Sequence, residues 1–219
     1  ITSAKSSDLL PGAIPRRRIA SAALKTSGLG WGTWSFLGPP INSNGQESGA
    51  VHLHDASMLS GLVDASKVDT TQPVILFDSN RDGATTQKIF AANVDGFVAT
   101  EVTLPGGTRD TDVAVAPQAS PPRFYWLSDA GSAVGQRLVT ATATSQQATE
   151  VKLTLDNGCA TSVVDAPWVT LDGERLLFAA AYPTPPACAP PGVGTKRVFV
   201  AHMHDGAEVA GEQATPLFP

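Results

Sequence analysis

The chain has 219 residues, 42% of them hydrophobic and only 16% charged, with 20 glycines, 17 prolines and a net charge of −5. This composition excludes global disorder, and the negative net charge argues against a nucleic-acid or anionic-membrane surface, both of which need clustered Lys and Arg. No apolar stretch is long enough for a membrane helix, and the length suffices for a β domain that buries a core without relying on disulfides.

Short period-2 apolar runs bounded by turn residues predict strands throughout and no helix. Residues 1–20, with the basic run Arg16-Arg17-Arg18, read as an N-terminal tail or a ring-closing strand. Residues 21–219 read as a single domain, whole or part of a larger one. Gly32 to Leu37, Ala50 to His54 and Leu59 to Asp64 are expected as strands of a first unit. Val74 to Asp78, Lys88 to Ala92 and Thr100 to Leu104 follow, with turns at Asn80-Arg81-Asp82-Gly83 and Val94-Asp95-Gly96. The clearest unit comes next: Asp112 to Ala116, Arg123 to Leu127, Arg137 to Ala143 and Thr149 to Leu155. The last has Val163 to Thr170, Arg175 to Ala180, Arg197 to His202 and a weaker strand near Gln213 to Phe218, with a Pro- and Gly-rich connection from Tyr182 to Thr195.

Val98-Ala99-Thr100-Glu101-Val102-Thr103-Leu104 returns 49 residues later as Gln147-Ala148-Thr149-Glu150-Val151-Lys152-Leu153, and the same offset carries Phe77-Asp78-Ser79-Asn80 onto Trp126-Leu127-Ser128-Asp129. A period of this length is that of stacked β-units such as propeller blades. Ala166-Pro167-Trp168-Val169-Thr170-Leu171-Asp172-Gly173-Glu174-Arg175-Leu176-Leu177-Phe178 resembles the repeat of TolB-type, WD40-like (PD40) β-propellers. Phe77 to Gly83 is similar to the Ser-Asn-Arg-Asp-Gly hairpin of that family, and Arg197 to Gly206 to its third strand and Asp-Gly turn. The match covers about residues 70 to 218, although Ala116 to Pro122 lacks the Asp-Gly. The resemblance implies an all-β propeller of four-stranded antiparallel blades, about four to five of them visible.

All four histidines lie in two matching motifs, Val51-His52-Leu53-His54-Asp55 and Ala201-His202-Met203-His204-Asp205. Residues i and i+2 of a strand share a face, so His52 with His54, and His202 with His204, could each offer two imidazoles to a divalent metal. Ordinary hairpin chemistry explains the same residues without a metal, and no other cofactor is expected. Asp78-x-Asn80-x-Asp82-Gly83 matches the first half of a calcium loop, but Ile89 stands where the bidentate carboxylate belongs, which leaves a plain turn. Cys159 and Cys188, even in number and in turn-rich contexts, are expected to form a disulfide in an oxidising compartment. Asp112 and Asp165 are equivalent acids near the starts of two first strands, readable as turn or channel-mouth residues or as half of a glycosidase pair. Trp31, Trp34, Trp126, Trp168 and Phe178 are expected to pack between blades.

No nucleophile elbow or phosphate-cradling loop is present in the sequence. The leading expectation is therefore a non-catalytic exported propeller domain, extracellular, periplasmic or envelope-associated, that binds a protein or polysaccharide partner. The alternatives are a metal-dependent polysaccharide lyase or hydrolase, and a structural module of a larger chain.

Overall fold

The computed structural model describes residues 46–81, 86–95, 98–130, 135–182 and 196–218. The described chain is all-β, built from three antiparallel sheets in series. Sheet 1 has the order β1 (Glu47–Leu53), β2 (Val74–Ser79), β3 (Lys88–Asn93), β4 (Ala99–Glu101). Sheet 2 repeats it with β5 (Asp110–Ala116), β6 (Arg123–Ser128), β7 (Arg137–Thr142) and β8 (Thr149–Glu150). A short hairpin, β9 (Leu153–Thr154) with β10 (Ala160–Thr161), precedes sheet 3. Sheet 3 has β11 (Asp165–Val169), β12 (Arg175–Ala181) and β13 (Lys196–His204), and two short strands, β14 (Ala207–Glu208) and β15 (Thr215–Pro216), share the fourth place beside β13.

The 49-residue echo holds at the level of strands, since Val74 and Lys88 begin β2 and β3 where Arg123 and Arg137 begin β6 and β7. Among the described residues three four-stranded units are seen; the expected strand at Gly32 to Leu37 lies outside them. Three expectations are corrected. Ala50 to His54 does not begin a separate unit but is the first strand of the Val74 sheet, with Leu53 opposite Val74. Leu59 to Asp64 is turn, not strand: a 3-10 turn at Ser57–Leu59 leads into it. The side chains of Asp55, Asp64 and Asp69 bond the backbone amides of Ser57, Ser66 and Thr71, offering the chain a local partner in place of a ladder. The predicted strand Thr149 to Leu155 is also broken, because after β8 the chain leaves β7 to pair Leu153 with Thr161.

A feature the sequence does not announce recurs in all three first strands. Ser48 pairs Asp78 and Val51 pairs Leu76, Thr111 pairs Leu127 and Ala114 pairs Tyr125, Asp165 pairs Ala179 and Trp168 pairs Leu177. Each first strand thus carries one extra residue, a β-bulge. The residue after the bulge opens is left-handed each time: Gly49 at φ 61, Asp112 at φ 53, Ala166 at φ 46.

The sheets pack face to face through these first strands, β5 lying against β1, β2 and β3, and β11 against β5 and β6. Alternation distributes the core. Along β6, Phe124 and Trp126 join Leu76, Ile89 and Ala91 of sheet 1, while Tyr125 and Leu127 join Leu176, Phe178 and Phe199 of sheet 3. Sheet 2 is covered on both faces, which is why β6 reads as an unbroken apolar run.

Candidate functional site

In each antiparallel sheet the first-to-second and third-to-fourth connections leave from one end. The Pro117 to Pro122 and Leu171 to Glu174 turns meet at that end, where Gln118 N–H donates to Leu171 C=O at 2.9 Å. Beside them projects the β13–β14 hairpin. Asp205 at φ 49 and Gly206 at φ 85 make its two central residues both left-handed, the requirement of a tight two-residue hairpin loop. Glycine is needed for a second reason, because a Cβ at Gly206 would lie 2.6 Å from a guanidinium nitrogen of Arg123, which passes beneath the turn.

Three clefts surround this hairpin. One of about 390 Å³ lies between Thr149 to Thr154 and the Asp205 to Glu212 segment, with Arg123 and Lys152 in its wall. A second of about 660 Å³ runs past Arg175, His202 and His204, and a third of about 170 Å³ is shared with Pro121, Tyr125 and Gly173. The first and third clefts are lined mainly by polar surface and the second mainly by apolar surface, and all three have acids in their walls. His202 Nδ1 is 2.7 Å from Glu212 Oε2, while His204 and Asp205, both well exposed, are 3.5 Å apart. Glu208 Oε2 accepts the Thr154 N–H at 2.8 Å. Its Oε1 is buried with no hydrogen-bond partner among the described residues, and burial raises the carboxyl above its ordinary pKa, with Glu212 nearby adding to the effect. Glu150 goes the other way, held down by the hydroxyl of Ser162 at 2.5 Å and by Arg137 at 2.9 Å. The first cleft therefore has two carboxyls in its lining that are shifted in opposite directions, Glu208 up by burial and Glu150 down by its donors.

The structure separates the two histidine motifs. His202 and His204 lie on the exposed face of β13, the third strand of sheet 3. His52 is exposed on β1, the first strand of sheet 1, and His54 follows its end. The motifs therefore occupy different places in their sheets, with sheet 2 between, and are not equivalent strand ends. Among the described residues no three His, Cys, Asp or Glu side chains are grouped to hold a metal ion. Cys159 is buried after the β9–β10 turn, and Cys188 lies outside the described residues.

Of the half calcium loop, Asp82 and Gly83 lie outside the described residues, and Asp78 is turned inward. Its carboxylate accepts the Ser48 hydroxyl at 3.0 Å and, across the sheet boundary, the Asp112 N–H at 3.0 Å. Asp112 and Asp165 are one register position apart in their bulges, Asp165 matching Thr111. Trp126 and Phe178 are core residues as expected, whereas Trp168 is 56% exposed because no described sheet covers its side of sheet 3.

Sequence reasoning missed a polar network at the opposite end of the strands. Asp110, buried, accepts from Ser128 Oγ at 2.6 Å, Trp126 Nε1 at 3.2 Å and Lys88 Nζ at 2.8 Å. Its signal is faint but present: Ser79 and Ser128 are matched by the 49-residue offset, and each faces an acid on the first strand, Glu47 and Asp110.

No protein-family model matches the chain, and no curated protein is significantly similar to it.

Proposed function

We propose that the chain is a non-catalytic β-propeller domain of the TolB-type, WD40-like kind, exported, whose hairpin end binds a protein or polysaccharide partner. The observation that carries the reading is the recurrence, in three consecutive sheets, of one four-stranded meander with one bulge in its first strand, packed first strand to first strand. Sheets repeated radially about their first strands are how propellers shield most of their edges, and such a ring presents its loops at two ends. The β13–β14 end offers three clefts around a two-residue turn, two of them polar and one mainly apolar, a geometry for gripping an extended partner of mixed character at several points.

The purified chain should retain a ligand from an array of immobilised oligosaccharides and peptides. Arg123→Ala and Glu212→Ala should each weaken that retention, while Ser57→Ala, outside the clefts, should not. Turnover of any array member, abolished by Glu208→Gln, would refute the non-catalytic reading. Export rests on the cysteines: in the oxidised protein both should resist alkylation until a reductant is added, as read by intact mass.

A further inference from the structure

The strands of sheet 3 are written for two covered faces, yet among the described residues only one is covered. In β2 and β6 the runs Val-Ile-Leu-Phe and Phe-Tyr-Trp-Leu send alternate residues into packed layers on both sides. β12 and β13 carry similar runs, Leu176 to Ala181 and Val198 to Ala201, but only Leu176, Phe178, Ala180, Phe199 and Ala201 are buried. The register lines up the others on the far side: Trp168 opposite Leu177, Leu177 opposite Val200, and Ala179 opposite Val198. Trp168 is 56% exposed, Val198 38%, and Leu217, whose N–H bonds Val198 C=O, 46%. This is the face by which sheet 1 packs on sheet 2 and sheet 2 on sheet 3. A four-stranded apolar face of this kind marks an unfilled interface.

The occupant can be argued from the chain itself. Each face already received in the stack brings two aromatic rings, Phe124 and Trp126 from sheet 2, Phe178 and Phe199 from sheet 3. The corresponding face of sheet 1 could not receive sheet 3 of a second copy, since Phe77 and Ala92 on it are 1% and 0% exposed and Arg81 lies 4.7 Å over the Phe77 and Phe90 rings. Residues 1–45 precede sheet 1 and contain Trp31, Trp34 and Phe36 within and just before the predicted strand Gly32 to Leu37. Second strands begin at Val74, Arg123 and Arg175, so a unit takes about 50 residues, and 45 is close to one more.

We propose that residues 1–45 of the same chain cover the open face of sheet 3 and bring the two ends of the stack together. The proposal uses the stacking alone; the cleft past Arg175 and His202 opens at the hairpin end of this same face, so a covered face leaves the other two clefts to the binding reading, and labelling at position 198 reads the cover whatever the hairpin end binds. The test is maleimide labelling of Val198→Cys in the full chain, with Ser57→Cys as the exposed control and the parent's background subtracted. Labelling at position 198 should be slower than at 57 by roughly 100-fold, the protection of a cooperatively packed layer, and independent of protein concentration. Trp31→Asp with Trp34→Asp in the full chain should restore fast labelling, as should deletion of residues 1–45 if that chain folds. Fast labelling in the unaltered background would show the face free and overturn the proposal. Protection lost on dilution would assign the face to a second copy, and protection indifferent to the two Trp substitutions would assign it to another segment; either overturns it.

Discussion

Asp78 is the most informative residue to perturb, because the structure buries its carboxyl between two sheets and, among the described residues, gives it two donors. It is 1% exposed, and burial pushes its pKa from 3.8 up to about 6, with the nearby Asp112 carboxylate adding to the rise and the Ser48 hydroxyl and Asp112 N–H opposing it. The folded protein therefore holds this proton longer than the unfolded chain does. Stability from this group is fully present below about pH 4 and lost as pH rises to about 6, the sense opposite to that of a salt-bridged carboxylate. A shift from 3.8 to about 6 corresponds to roughly 3 kcal/mol of differential stability above pH 6. That is a large share of the ~5–15 kcal/mol that typically holds a domain together. Asp78→Asn keeps the shape and both hydrogen bonds, its Oδ1 accepting the Asp112 N–H and its Nδ2 donating to Ser48 Oγ, and removes the charge. Urea unfolding from pH 4 to pH 8, followed by circular dichroism, should find the variant equal to the parent at pH 4. By pH 7.5 it should be more stable by roughly 3 kcal/mol, other titrations cancelling in the difference. A difference that stays within about 0.5 kcal/mol across the range, or that grows toward low pH, would refute the reasoning.

The bulges give a second comparison. Gly49→Ala places a Cβ 2.8 Å from the Asp78 carboxylate at φ 61 and should cost about 2 kcal/mol or more in unfolding free energy. Ala166→Gly, at the same place in sheet 3 with φ 46, should instead raise stability by roughly 0.5–1 kcal/mol. Lys88→Met leaves Asp110 buried without its cation and should destabilise by roughly 3–5 kcal/mol, with Lys88→Arg recovering part of the loss; a neutral effect in thermal unfolding would show that the Ser128, Trp126 and Gly107 donors suffice to hold the carboxylate. Glu208→Gln, which abolishes a carboxyl whose pKa burial raises, should flatten the fall in stability as pH rises through that group's titration, read by the same urea series.

How much of this fold could be read from residues alone depended on which force set each element. Strands such as Arg123–Ser128 and Arg175–Ala181 were legible to within a residue or two, because turn residues bound them and burial demands apolar runs. Thr149 to Leu155 has the same texture yet breaks at Lys152, since the pull that ends it is tertiary: Leu155 bridges to Ala214 and the Ala214 N–H bonds Thr154 C=O, contacts with residues some 60 positions away. The bulges were invisible for a related reason. A left-handed position advertises itself only when it is glycine, and here one bulge has Gly49 while the equivalents are Asp112 and Ala166. What excludes a side chain at 49 is the buried acid behind it, for Asp78 is replaced by Leu127 and Ala179 in the other sheets and the constraint lifts there. The histidine motifs misled in the opposite direction. His52 and His202 share a local pattern but stand on a first and a third strand, and spacing in sequence carries no information about strand order in a sheet until the pairing partners are known. At the candidate site the Asp205-Gly206 turn was readable from its dipeptide, whereas the acids that line the clefts, Glu150 from one sheet with Glu208 and Glu212 from the next, converge only because sheet 2 and sheet 3 stack. A site assembled across sheet boundaries is legible only through the packing that makes it, so Asp78 and the face around Val198, which report on that packing, are the places where the architecture is most exposed to disproof.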